Sequence, residues 1–215
     1  PREGSVGYLT VEANIALVLV GEGRAYWKGQ LRPAKEALDA AGIMPLKFSY
    51  KEGLALLDGT TSATALGALA LFDMQQAACS ADVVAALSVE VLRGLIRHFE
   101  PRVSVVRPHP TQKKVADNLR KILADSQVIA EAKGSHLQDA LSLRCIPQLH
   151  GAAKKLLEDA RATFEIELNS CTDNPILWAE GEYGEAISAC NSDSAFVGMS
   201  IDSCCIAATG ISSLK

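Results

Sequence analysis

Aromatic residues are scarce: Phe, Trp and Tyr together make up 5% of the 215 residues. Ala and Leu abound instead, and that balance favours helices over strands. No charge of one sign dominates. With 21 Lys and Arg against 25 Asp and Glu, the net charge is −4. This mild acidity gives no reason to expect nucleic acid or a membrane surface as partner. No run of about 18 apolar residues escapes a charge or a helix breaker, which argues against a transmembrane span. The start, Pro1-Arg2-Glu3-Gly4-Ser5, is polar and lacks a signal-peptide pattern. It builds and caps no element. Ile211-Ser212-Ser213-Leu214-Lys215 stops inside a helix-like apolar segment. Both termini therefore suggest a piece of a longer protein. None of the six cysteines forms a CxxC pair, and most sit in apolar helical context. They read as free, buried thiols of a cytoplasmic protein, with spacing wrong for metal. There is no Walker loop, HExxH or nucleophile elbow.

What is present is enough chain for one sizeable core, 48% of it hydrophobic. Leu9 to Val20 is apolar nearly all round and predicts a buried helix, ended by Gly21-Glu22-Gly23. Ala25 to Leu31 reads as a short hairpin with a glycine turn over Lys28-Gly29-Gln30. Pro33 to Ala41 is a small amphipathic helix closed by Gly42, and Met44 to Phe48 suits a short strand. Ser62 to Ala78 alternates small and large apolar residues. Ser80 is placed to N-cap a second helix, Ala81 to Phe99. Pro101, Pro108 and Pro110 interrupt. Gln112 to Ala124 is amphipathic, with Val115, Leu119 and Leu123 on one face. Ala130 to Leu143 is polar and irregular, and suits a loop. Pro147 to Cys171 is the longest helical stretch, stopped by Asp173-Asn174-Pro175; Phe196 to Leu214 is another apolar helix. The sum is an all-α fold, a central bundle of long packed helices with small β-hairpin decorations. Several helices are apolar on more than one face, so some are expected to pack against other subunits.

Taken alone, few residues force a chemical reading. His98, His109, His136 and His150 are scattered, as ordinary surface or core histidines are. Arg144 stands at a loop–helix junction, in Gln138-Asp139-Ala140-Leu141-Ser142-Leu143-Arg144 just before Pro147. There it either holds a ligand carboxylate bidentately or makes a structural salt bridge with one of the acids.

Six strings, in order, resemble the histidine and phenylalanine ammonia-lyases. They are Gly4-Ser5-Val6-Gly7; Val18-Leu19-Val20-Gly21-Glu22-Gly23; Lys51-Glu52-Gly53-Leu54 through Asp58-Gly59-Thr60; Arg107-Pro108-His109-Pro110-Thr111-Gln112; Gln138-Asp139 through Arg144; and Glu167-Leu168-Asn169 through Asp173-Asn174-Pro175. Together they cover essentially the whole chain, as the central part of a single ammonia-lyase-like domain over residues 1–215. In that family Gly-Ser-Val-Gly is followed by Ala-Ser-Gly, which cyclises autocatalytically into a methylidene-imidazolone, an electrophile without metal. Here Gly7 is followed directly by Tyr8. The shortfall equals the missing triad and falls at its position. Either the triad has matured into one group that the written sequence omits, or it is deleted and the protein is inert.

The resemblance implies a carbon–nitrogen lyase. The electrophile takes up the substrate amine, a well-placed base removes a β-proton, and ammonia leaves an α,β-unsaturated acid. It implies that Gly7 and Tyr8 flank the electrophile, that Arg144 clamps the substrate carboxylate, and that Gln138 and Asn191 line the pocket. Helix N-termini would stabilise charge developing on the ring, the helix starting near Leu9 among them. It also implies a homotetramer with shared active sites, with the principal base outside this segment. Four departures matter. Asp58 stands for an asparagine beside the electrophile, where a carboxylate opposes charge build-up unless protonated. Leu141 stands for a pocket tyrosine. Ser192-Asp193-Ser194 replaces Phe-His-Gly, so Ser192 and its neighbours make a polar wall. Tyr8 stands for an aspartate. A polar or cationic amino acid, histidine or a relative, is therefore expected over phenylalanine or tyrosine. A 2,3-aminomutase on the same scaffold, and a helical scaffold that has lost the chemistry, are the alternatives.

Overall fold

The computed structural model describes residues 9–212. Its elements run α1 Leu9–Leu19, β1 Arg24–Trp27, β2 Gln30–Pro33, α2 Ala34–Ala41, α3 Glu52–Leu57 and α4 Thr61–Val91. A 3-10 turn over Ile96–Phe99 follows, then α5 Pro101–Val106, α6 Pro110–Ile122, α7 Gln127–Ala132, α8 Leu141–Arg144 and α9 Ile146–Glu167. β3 Ile176–Trp178, β4 Glu185–Ile187 and α10 Ala195–Ser212 complete the order. The two strand pairs are separate antiparallel hairpins, and all the long elements are helices. The all-α expectation with β-hairpin decorations is met.

Residues 9–66, with Glu165–Val197, form one compact unit; Gly67–Phe164 with residues 198–212 form another. In the first, β1 and β2 pair Tyr26 with Leu31 and Trp27 with Gln30 around Lys28 and Gly29, both at positive φ. The expected glycine turn is present but tighter than read, because Gln30 already belongs to β2. Gly42, left-handed at φ 70°, closes α2 as expected. The buried residues here are mostly small or polar: Ala16, Ala34, Ala37 and Val197 beside Glu12, Thr60, Thr64, Asp173 and Ser192. Hydrogen bonds therefore bear much of the load, because buried polar groups must be paired.

The second unit carries the hydrophobic core. Ala86 and Val89 of α4 pack with Phe99, with Val115, Ala116 and Leu119 of α6, and with Leu123, Ile129 and Ile146. The face expected of α6 is the buried one, with Val115 and Leu119 fully enclosed. One polar cluster interrupts this core. Asp82 of α4 receives His150 at 2.9 Å, Lys154, and Asn118 at 3.3 Å, joining α4, α6 and α9. Burial works against ionising Asp82, but its contacts with His150, Lys154 and Asn118 win and hold its carboxyl below the ordinary value.

Several expectations are corrected. Ser80 caps nothing; its hydroxyl donates to the Gln76 carbonyl inside one continuous 31-residue α4, the longest helix. A serine satisfied by the preceding turn costs a helix little, so no break is forced. The stretch at Pro147 is the 22-residue α9 instead. Met44–Phe48 forms no strand: Pro45 lacks an N–H, and the segment lies against α1, with Leu46 N–H bonded to Leu19. Pro101 and Pro110 open helices, where the missing N–H costs nothing. The supposed loop from Ala130 to Leu143 holds the end of α7 and most of α8. The hairpin of β3 and β4 was not anticipated. α1 is a helix but not a buried one; Ile15 and Leu17 are exposed. The cysteines are free, yet only Cys204 is buried.

Apolar side chains also cover the outside of long helices. Leu66, Leu69, Phe72 and Val91 of α4, and Phe196, Met199 and Ile206 of α10, are exposed. Two helical stretches, Glu52–Val91 and Ala195–Ser212, are long and apolar enough to cross a membrane by length and composition. Neither holds 18 residues without a charge, as expected, since Asp73 interrupts one and Asp202 the other. The single charge of α10, Asp202, leaves it apolar enough to pass.

Close packing makes Gly151 a sensitive position. A Cβ there would lie 2.6 Å from the Gln112 Cα. Helix propensity alone favours Gly151→Ala by about 1 kcal/mol. The backbone clash reverses the sign, so denaturant unfolding is expected to show a net loss of about 1–3 kcal/mol.

Candidate functional site

The residues singled out from the sequence fall into two groups. In the first unit, α3 ends at Asp58, and the chain turns through Gly59 and Thr60 into α4. This turn lies against the 171–174 loop beyond α9. The Asn174 N–H donates to Asp58 Oδ2 at 3.0 Å, and Thr60 Oγ1 donates to Glu167 at 2.6 Å. Gly59 has φ 131°, and a Cβ there would sit 2.8 Å from Thr172 Oγ1, so glycine is required. Asn191 donates from Nδ2 to the Cys171 carbonyl at 3.0 Å. Asn174 Oδ1 accepts from the Ala189 N–H at 2.7 Å. Asp58 and Asn191 are thus brought to one loop from opposite ends of the sequence. Ser192 is buried beside Asn191. Asp193 accepts the Ala195 N–H at 2.8 Å and so serves the start of α10.

Two clasps that the sequence reading missed hold this loop and the turn into α4. Lys51 pairs with Asp173. Buried Glu12 of α1 accepts the Ser62 N–H at 3.2 Å at the start of α4. The Lys51 contact, helped by the Cys171 thiol donating at 3.1 Å, outweighs burial and lowers the Asp173 carboxyl below its ordinary value. The same carboxylate pushes the Cys171 thiol up. Lys51 and Asp173 both stand in the quoted strings, but 122 positions separate them.

In the second unit, Gln138 and Leu141 are exposed, Leu141 at 66%. Arg144, half-buried, closes the four-residue α8. Its Nε donates to the Asp139 carbonyl at 2.9 Å. Among the described residues its terminal nitrogens meet no carboxylate, and Arg144 enters no ion pair. The structural salt bridge weighed for Arg144 is therefore not made there. Asp139 gathers a set that sequence reasoning left scattered. Its carboxylate accepts the Leu95 N–H at 2.7 Å and meets His136 Nε2 at 2.7 Å and His98 Nε2 at 3.1 Å. Only a long-range fold could pair His98 with Asp139, 41 positions apart. Burial opposes ionisation of Asp139, but the Leu95 N–H and the two histidines lower its carboxyl below the ordinary value. A neighbouring buried acceptor, Gln148 Oε1, has no partner among the described residues. Such an atom calls for a donor from elsewhere.

An apolar cleft of about 300 Å³ runs along α4, with Ser142, Leu143, Ile146 and His150 in its wall. Arg144 is not in that wall. Gly7 and Tyr8 lie outside the described residues, one step ahead of Leu9, where α1 begins. Among the described residues, no three His, Cys, Asp or Glu side chains converge as a metal site.

The pH behaviour of the Lys51 clasp follows from its sign. Asp173 titrates lower folded than unfolded, so its contribution is full above the ordinary value of 3.8 and is lost as pH falls through the folded value. Thermal melts are expected to show wild type ahead of Asp173→Asn by a constant margin above about pH 5, shrinking toward pH 3. A margin independent of pH would remove the ion pair from the account.

A family model described as aromatic amino acid lyase matches residues 1–215. A histidine ammonia-lyase of Myxococcus xanthus is 41% identical over 219 residues, covering 100% of this chain and 43% of its own. One from Geobacillus thermodenitrificans is 44% identical over 184 residues, covering 84% of this chain and 36% of its own. The chain thus spans less than half the length of these relatives. Among solved structures, a Pantoea agglomerans phenylalanine aminomutase superposes with a TM-score of 0.90 at 33% identity, covering 100% of this chain and 45% of its own.

Proposed function

Because this chain belongs to the aromatic amino acid lyase family, we propose that it is the central part of a single ammonia-lyase domain, and that the protein eliminates ammonia from histidine or a related amino acid. Arg144 carries this reading. It is half-buried, fixed through Nε, and keeps its terminal nitrogens clear of the chain's own carboxylates among the described residues. Such a guanidinium suits a ligand carboxylate held bidentately.

The residues next to Gly7 and Tyr8 fit the family's group. Among the described residues α1 runs from Leu9, close behind Gly7 and Tyr8, and the N–H groups of a helix's first turn favour negative charge. When formed from an Ala-Ser-Gly between Gly7 and Tyr8, a methylidene-imidazolone supplies the electrophile for the substrate amine. The chain's own residues do the rest of what this segment offers. Arg144 binds and orients the carboxylate, and Gln138 and Asn191 are the polar residues that the family likeness assigns to substrate binding. Asp58 Oδ2 holds the Asn174 N–H, which keeps the 171–174 loop at the turn into α4. Leu141 offers no phenol. Ser192 and its neighbours give a polar wall that suits an imidazole better than a phenyl ring, in keeping with relatives named as histidine ammonia-lyases. The base belongs to chain outside this segment. A homotetramer with shared sites would cover the exposed apolar faces of α4 and α10, and free cysteines suit a reducing cytoplasm. The match to an aminomutase structure supports the second reading, in which ammonia returns to the β-carbon.

Incubating the assembled protein with L-histidine should release ammonia and an α,β-unsaturated acid. A β-amino acid product would move the assignment to an aminomutase. No product from any amino acid, with a peptide mass showing Gly7 joined directly to Tyr8, would leave an inert scaffold. For a lyase, Arg144→Ala should lower kcat/KM roughly tenfold to a hundredfold, the range of a lost charge-assisted hydrogen bond.

A further inference from the structure

Arg144 cannot serve a carboxylate unless its guanidinium is aimed, and α8, at four residues, is too short to aim it alone. The aim comes from Asp139. The Asp139 carbonyl takes the Arg144 Nε proton at 2.9 Å, which fixes the guanidinium plane and leaves the terminal nitrogens as the free edge. Asp139 is itself fixed at three further points. Its Oδ2 accepts the Leu95 N–H at 2.7 Å, its Oδ1 meets His136 at 2.7 Å, and its own N–H donates to His98 Nε2 at 3.2 Å. The same His98 Nε2 lies 3.1 Å from Asp139 Oδ2, so the ring sits against both the N–H and the carboxylate of Asp139. Burial, with Arg144 and Arg97 nearby and Asp139 opposing, lowers the His98 value. Gly94 makes room for the contact: a Cβ there would lie 3.3 Å from Asp139 Oδ2 and 2.9 Å from Val89 Cγ1. All these groups belong to one compact unit.

We propose that Asp139, locked by the Leu95 N–H, His98 and His136, is the positioning residue that presents Arg144 to the substrate carboxylate. The inference rests on the carboxylate-binding role given to Arg144 above. Asp139 does not touch the ligand; it acts through the arginine. Buried charge networks that orient a binding residue matter because a misaimed guanidinium loses its second hydrogen bond and keeps its charge.

The test uses the assembled protein and two ligands that differ only in the carboxylate, imidazolepropionate and 4-ethylimidazole. Neither carries an amine, so neither is turned over. Calorimetry on wild type should show imidazolepropionate favoured, and Arg144→Ala should abolish that preference. Asp139→Asn should reduce the preference about tenfold, equivalent to one charge-assisted hydrogen bond, while 4-ethylimidazole binds as before. His136→Ala should reduce it in the same direction, and His136→Gln, which keeps a donor, should restore it. If Arg144→Ala removes the preference but Asp139→Asn and His136→Ala leave it intact, or weaken both ligands equally, the positioning role is overturned and the arginine reading stands. If wild type shows no preference, or Arg144→Ala leaves the preference intact, the carboxylate role of Arg144 is overturned, and the positioning role with it.

Discussion

A single buried carboxylate, Asp82, sets the frame of the larger unit. It sits on α4 and draws His150 and Lys154 from α9 and Asn118 from α6. A carboxylate so enclosed is tolerated only when its oxygens are satisfied, so the three helices are held in one register or the charge is stranded. The apolar cluster of Val89, Phe99, Val115, Leu119 and Ile146 fills the space beside that junction. Hydrophobic burial supplies the stability there, and the polar junction supplies the alignment. α8 and the Asp139 network hang on the same frame, because α9 begins two residues after Arg144.

The smaller unit solves the same problem with little apolar material. Its buried side chains are mostly alanine, threonine and acid. Order there comes from long-range polar clasps: Glu12 to Ser62, Thr60 to Glu167, Lys51 to Asp173 and Asp58 to Asn174. The last two reach the loop that also receives Asn191, and the first two hold the turn into α4 beside it. A site built on such clasps is positioned by hydrogen-bond geometry, which is directional, where an apolar core would leave it freer to shift. The clasps also explain why glycine stands at Gly59, where any Cβ would strike Thr172.

Much of the helical plan was legible. The periodicity around Val115 and Leu119 identifies α6, and Gly42 and Lys28-Gly29 mark a cap and a turn by conformations few residues adopt. The errors share a physical origin. Ser80 looks like a cap because serine competes for backbone groups, yet in a packed helix it bonds back to Gln76 and breaks nothing. The cysteines and the apolar face of α1 look buried because their residue types usually are; exposure depends on which surfaces a chain finds to cover them.

By itself, the sequence determined the helical class, the hairpin turn, the family likeness carried by its six strings, and Arg144 as the residue to watch. Those depend on local conformation and on residue order. Only the tertiary structure decided what Arg144 lacks and what steers it: no carboxylate of its own among the described residues, and an Asp139 carbonyl fixed by His98 and His136. Likewise it alone joined Lys51 to Asp173 and Asp58 to Asn174. Partners more than a hundred positions apart leave no periodic trace along a chain. Their meeting is settled by how helices pack, and packing is a property of the whole fold.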